Sequence, residues 1–195
     1  MEKRKLLITG FDPFGGATIN PAWEAVKLLP DEIGDFVLCK LEIPTVFGEA
    51  AKRVLEKAET VQPDVILCIG QAGGRDAITP ELVGINLRHG SIPDNNGNQP
   101  CDEEIVIGGD KAYFTTVPSR KIAEKIAAKG IPARLSYTAG AYVCNDVIYS
   151  LLHHFRDTET MFGFIHVPYS TDQGKEPSMP IDKITEAILI AIENL

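Results

Sequence analysis

The run DVILCIG at 64–70 constrains the fold more than any other stretch of the chain. It is continuous, apolar, of strand length, and it ends on glycine. A strand covered on both faces has no polar face to display, and helix-covered parallel sheets supply such burial. LLITG at 6–10 has the same form. Both runs lead into glycine-rich loops, the usual continuation of a central strand in an α/β sheet.

Other segments alternate with these runs. NPAWEAVKLL (20–29) reads as a helix, with Asn20 as N-cap and Pro21 at the first helical position. DFVLCKLEI (35–43) reads as a strand and FGEAAKRVLEKAETV (47–61) as a charged amphipathic helix. ELVGINLR (81–88) alternates weakly, as a strand can, and GSIPDNNGNQP (90–100) is a turn-rich loop. A helix at 118–130, a strand at 133–138, a helix at 141–155, a strand at 161–168 and a helix at 180–195 complete the pattern. This alternation predicts one α/β domain over 1–195, with a twisted, largely parallel (mixed) sheet and helices on both faces. In such sheets, sites form beyond the carboxyl ends of strands. Chemistry is therefore expected at the ends of LLITG, DVILCIG, ARLSYT and MFGFIHVP.

Charge and cysteine usage narrow the classes. With 27 acids against 19 bases the net charge is −8, the wrong sign for a nucleic-acid partner. No apolar run approaches the roughly 20 residues of a membrane span, and the apolar part of the N-terminus is too short for a signal peptide. A cytoplasmic location is expected. The four cysteines show no CxxC pair and the four histidines no HExxH spacing, so free thiols and no metal are expected.

Four segments carry candidate chemistry. In LSYTAGAYVCND a strand passes through small residues into a helix whose first turn holds Cys144. Free N–H groups and a partial positive charge there lower a thiol pKa and can hold an oxyanion. The same residues suit a small core thiol equally well. His166, at the end of MFGFIHVP, lies at the expected site edge and is a candidate base, although strand histidines are often simply packed. The segment GQAGGRDAITPELVGIN contains Gln71 and Glu81; it lacks both GK[ST] and GxGxxG, and Glu81 taken alone also reads as a surface charge. In TGFDPFGGATINPAW, Phe11 and Phe14 flank a turn and either line a pocket or pack beneath it.

Together these segments resemble the pyroglutamyl peptidase type I (pyrrolidone carboxyl peptidase) family. The resemblance runs nearly end to end. It includes GFDPFGG at 10–16, Gly70 to Asn86 with Glu81, IPDNNGNQPCDE at 92–103, LSYTAGAYVCND at 135–146, and His166. It implies a cysteine–histidine–glutamate triad of Cys144, His166 and Glu81. It also implies an apolar slot for a lactam ring with Phe11, Phe14 and Val143 at matching positions and Gln71 beside them. Peptides with an N-terminal pyroglutamate would be the partners, the assembly a cytosolic homotetramer, and no cofactor is implied. The chain departs from the family pattern at Leu82 and Ser91, where relatives commonly carry arginine. An inactive relative that binds capped peptide termini, and a phosphorylase-like or nucleotide-binding α/β protein, are the competing readings. The missing phosphate-binding motifs speak against the latter.

Overall fold

Successive residues of the first strand, β1 (Arg4–Phe11), point to opposite faces of a sheet, and each face carries its own core. Leu6 and Ile8 enter one core, Leu7 and Phe11 the other. The structure is a computed structural model that describes residues 3–195. After β1 come α1 (Pro21–Leu28), β2 (Glu32–Ile33), β3 (Phe36–Ile43), α2 (Glu49–Val61), β4 (Val65–Gln71), β5 (Thr79–Pro80) and β6 (Val83–Ile85). They are followed by β7 (Ala112–Phe114), α3 (Ser119–Ala128), α4 (Val143–Phe155), β8 (Met161–Val167), β9 (Tyr169–Ser170), β10 (Ser178–Met179) and α5 (Ile181–Ile192).

The main sheet has the order β2-β3-β1-β4-β8-β5. The four inner strands are parallel and the two short edge strands antiparallel, so the sheet is largely parallel but mixed. The first core takes Ala22, Ala25 and Val26 of α1, Ile122 and Ile126 of α3, and Ile184, Ala187, Ile188 and Ala191 of α5. The second takes Ala50, Ala51, Val54 and Ala58 of α2 and Val143, Val147, Ile148 and Leu151 of α4. Each large aliphatic side chain buried here contributes about 1.5–3 kcal/mol. Helix α1 begins as its sequence predicts. The Asn20 side chain accepts the Ala22 N–H at 3.1 Å, and Pro21 opens the helix. Among the described residues no helix is long and apolar enough to cross a membrane.

Two strand expectations need correction. The stretch 133–138 forms no strand. It lies parallel to the β5 edge and makes only isolated bridges, Ile78 with Ala133 and Glu81 with Ser136. Ile78 N–H bonds Pro132 O, Arg134 N–H bonds Ile78 O and Ser136 N–H bonds Pro80 O. The bond missing between them would come from the N–H that Pro80 lacks, so the ladder breaks in two. The stretch 81–88 contributes only β6, which pairs with β7 in a separate two-stranded sheet.

Candidate active site

His166 lies near the carboxyl end of β8, between Gly70 of β4 and Thr79 of β5 in register. Its ring is almost wholly buried, and Nδ1 stands 2.7 Å from Glu81 Oε1. Glu81 follows β5 and is fully buried. Its backbone is tied on both sides: the N–H bonds Phe164 O, and the carbonyl accepts from the Thr115 and Ser119 hydroxyls. Arg75 donates from Nη1 to the same Oε1 at 2.7 Å and to Thr79 Oγ1 at 2.6 Å, and from Nη2 to Thr138 O at 3.1 Å. The carboxylate therefore faces an imidazole and a guanidinium together.

Cys144 is the second residue of α4, in its first turn as the sequence predicts. First-turn N–H groups have no intrahelical acceptor, so that of Cys144 is free for a ligand. The thiol stands over Gly70: a Cβ there would fall 3.1 Å from Sγ and 2.8 Å from Phe164 Cζ. Gly70 is the register partner of His166, so the missing side chain makes room for the sulfur beside the histidine's strand position. Neighbours of Cys144 anchor the helix start. Buried Asn145 accepts the Ile85 N–H and donates to the carbonyls of Ile85 and Leu87, at 2.8–3.0 Å. Buried Asp146 accepts the Gly48 N–H at 2.7 Å and two bonds from Arg88 at 2.5 and 3.0 Å.

The charge states follow from these surroundings. Burial pushes the Glu81 carboxyl up, but the hydrogen bond and charge of His166, with the Arg75 bond, outweigh it and hold the group below the usual carboxylate range. Burial lowers the His166 pKa and the Arg75 charge lowers it further, against the opposing pull of Glu81. At neutral pH the arrangement is thus a carboxylate bonded to a neutral imidazole. The carboxylate can only accept, so Nδ1 carries the proton and Nε2 keeps its lone pair. Cys144 is half-buried, yet its pKa is pushed up to about 12, first by burial and then by the negative charge of Glu81. The expectation of a thiol pKa lowered by the helix start is therefore corrected: low polarity around the thiol outweighs the helix end.

Phe11 is buried and its ring packs 6.3 Å from that of Phe164, beneath the site floor. Phe14 is half-buried with its ring 6.4 Å from Tyr142, the residue that precedes α4. Val143 is fully buried, and Gln71 ends β4 immediately after Gly70. The Gln71 side-chain oxygen accepts from Gln173 Nε2 at 2.9 Å, which leaves its NH2 group to donate elsewhere. Of the other thiols, Cys68 is fully buried with its pKa up to about 12, Cys39 is half-buried and Cys101 is exposed. Sequence reading missed Arg75, Asn145, Asp146 and Gln173. Only the position of Asn145 and Asp146 beside Cys144 could have flagged that pair.

Sheet and site define the class first: an α/β protein with a thiol, a buried imidazole–carboxylate pair and a ring-lined turn gathered beyond the carboxyl ends of parallel strands. The family model described as pyroglutamyl peptidase matches residues 4–195. The chain is 50% identical to a pyrrolidone-carboxylate peptidase of Staphylococcus saprophyticus, covering 97% of this chain and 92% of the relative. It is 47% identical to one of Enterococcus faecalis, with the same coverage. The solved pyroglutamyl peptidase I of Bacillus amyloliquefaciens superposes with a TM-score of 0.95 at 46% identity, over 98% of this chain and 94% of that one. A mutant pyrrolidone carboxyl peptidase of Pyrococcus furiosus gives 0.93 at 41% identity, over 97% of both chains. The chain belongs to the pyroglutamyl peptidase family.

Proposed function

We propose that the protein is a cysteine exopeptidase that removes an N-terminal pyroglutamyl residue from peptides through a thioester on Cys144. The observation that carries this reading is the 2.7 Å bond between Glu81 and His166 beside a thiol seated over Gly70. Cys144 Sγ attacks the pyroglutamyl carbonyl as its proton passes to His166 Nε2. Because the resting thiol is held high and the imidazole neutral, the transfer accompanies attack instead of preceding it. The N–H of Cys144 receives the oxyanion. When the C–N bond breaks, His166 returns the proton to the leaving amine. Water then attacks the thioester, losing a proton to His166, and free pyroglutamate departs with the thiol restored. Glu81 fixes the ring tautomer and stabilises the transient imidazolium. Arg75 holds Glu81 in place.

The substrate end is a neutral lactam, so the slot needs no carboxylate to receive an ammonium. The ring of Phe14, over a floor backed by Phe11 and Val143, suits its apolar edge, and the free NH2 of Gln71 suits its carbonyl. Family resemblance further supports a homotetramer working in the cytoplasm without a cofactor; sedimentation of the purified chain tests the assembly. The function is tested by release of a chromogenic amine from a pyroglutamyl amide, with and without a thiol blocker. Turnover is expected from the parent chain, and none from Cys144→Ala with the fold retained. Prolyl and glutaminyl amides carry a charged nitrogen and should react at least about a thousandfold more slowly. Near-normal turnover by Cys144→Ala, or equal use of all three amides, defeats the assignment.

A further inference from the structure

The base of the 90–100 loop carries three metal-type donors outside the site described above. His89, Cys101 and Asp102 bring an imidazole nitrogen, a sulfur and a carboxylate oxygen within 4.8 Å of one another, all exposed. The backbone sets this grouping. Arg88 and Glu103 exchange N–H to carbonyl bonds at 2.8 and 3.1 Å, and Gly90 N–H bonds Pro100 O at 2.8 Å, so residue 89 is held opposite residues 101 and 102. His89 Nδ1 already stands 3.0 Å from Asp102 Oδ1.

We propose that His89, Cys101 and Asp102 form a binding site for one divalent transition-metal ion of the zinc class. The donor set selects the ion: sulfur and imidazole favour zinc and its neighbours, whereas calcium and magnesium take oxygen. Tetrahedral zinc at about 2.0–2.3 Å from each donor spaces them about 3.3–3.8 Å apart. Closing the present triangle needs shifts of about an ångström, within reach of rotation of exposed side chains. Water supplies the fourth position. On binding, the sulfur–metal bond replaces the S–H bond and the proton leaves to solvent. Thiolate and carboxylate then balance the charge of the ion, and affinity rises with pH.

Such an ion closes the base of a strap. Within the loop, Asn95 Nδ2 donates to Asp12 Oδ1 at 3.1 Å and to Pro13 O at 2.9 Å, and Pro93 O accepts from Tyr142 at 3.1 Å. His89 N–H bonds Ala141 O at 2.8 Å. The strap thus joins the Phe11–Phe14 turn to the residues that lead into Cys144, and a metal clasp stiffens both together.

Cobalt(II) titration of a Cys144→Ser protein, which removes the competing site thiol, tests the assignment. A near-ultraviolet thiolate-to-cobalt band is expected at one ion per chain, and zinc should bleach it. Adding Cys101→Ser should abolish the band, and adding His89→Ala should weaken binding at least about tenfold. Absence of the band, or an unchanged band in the Cys101→Ser protein, overturns the site. Zinc should also slow amide exchange across residues 92–98 in Cys144→Ser and leave it unchanged once Cys101→Ser is added. Equal exchange with and without zinc in Cys144→Ser overturns the clasp.

Discussion

His166 with Glu81 and His89 with Asp102 are the same pair of groups, at nearly the same separation, 2.7 and 3.0 Å. They differ in water. The side chains of the first pair are 4% and 0% exposed, those of the second 44% and 72%. Solvent screens the outer pair, and a contact of that kind is worth about 0–1 kcal/mol. The inner pair has lost its water, so each protonation state is set by named neighbours: Arg75 on one side, the Glu81 charge on the other. A histidine–carboxylate contact is thus a solvent-screened pair or a buried pair tuned by its neighbours according to what surrounds it, and distance alone does not distinguish the two.

The sharpest way to break this contrast is Glu81→Gln. It keeps the size, removes the charge and offers the ring an amide that stabilises no imidazolium, so kcat should fall roughly 10²-fold or more while KM moves little. An undiminished kcat would place Glu81 with the outer pair. Next comes Arg75→Gln, expected to cost about tenfold in kcat, in keeping with one lost charge-assisted bond of ~1.5 kcal/mol. It should also move the acidic limb of kcat/KM to higher pH. The guanidinium lowers the His166 pKa, so its removal raises it. A profile that drops without shifting would reduce Arg75 to a packing role.

A smaller effect concerns pH and stability in the parent chain. Both His166 and Glu81 titrate below their ordinary values of 6.5 and 4.5 in the folded state. The unfolded chain therefore binds more protons as pH falls. The stabilisation these groups give is complete above about 6.5 and is lost progressively as pH drops through the folded values. Urea midpoints should accordingly decline from pH 7 toward 4, and the acidic limb of kcat/KM should lie below 6.5. The smallest effect belongs to Asp102→Asn in metal-free buffer, with activity within about twofold of the parent. A larger loss there would show that the outer pair supports the site through the strap.

The inner pair was partly legible in the sequence, because strand ends and a helix start are local patterns. The run ending at Gly70, the run ending in His166 and the small residues before Cys144 mark where a sheet edge must lie. Arg75 was not legible: an arginine six residues before a glutamate in a glycine-bearing loop reads as solvated until the fold turns it inward. The thiol pKa was misjudged for a related reason. Helix position is written locally, whereas the burial of the thiol and the nearness of the Glu81 charge are not. Pro80 carried its consequence openly, since a residue without an N–H must interrupt a ladder, but which carbonyl would be left waiting depended on the partner segment lying beside it.

The position of β8 in the sheet has a consequence for biosynthesis. It is the last strand of the main sheet in the chain, yet it sits between β4 and β5 and brings His166 to Gly70 and Thr79. A nascent chain still lacking residues 161–167 has Cys144 and Glu81 already synthesised and no base between them. N-terminal segments emerge and begin to order first. Cys144 therefore waits only for the stretch of synthesis between it and His166, and under the proposed mechanism the late arrival of one inner strand delays any peptidase chemistry until the sheet is whole.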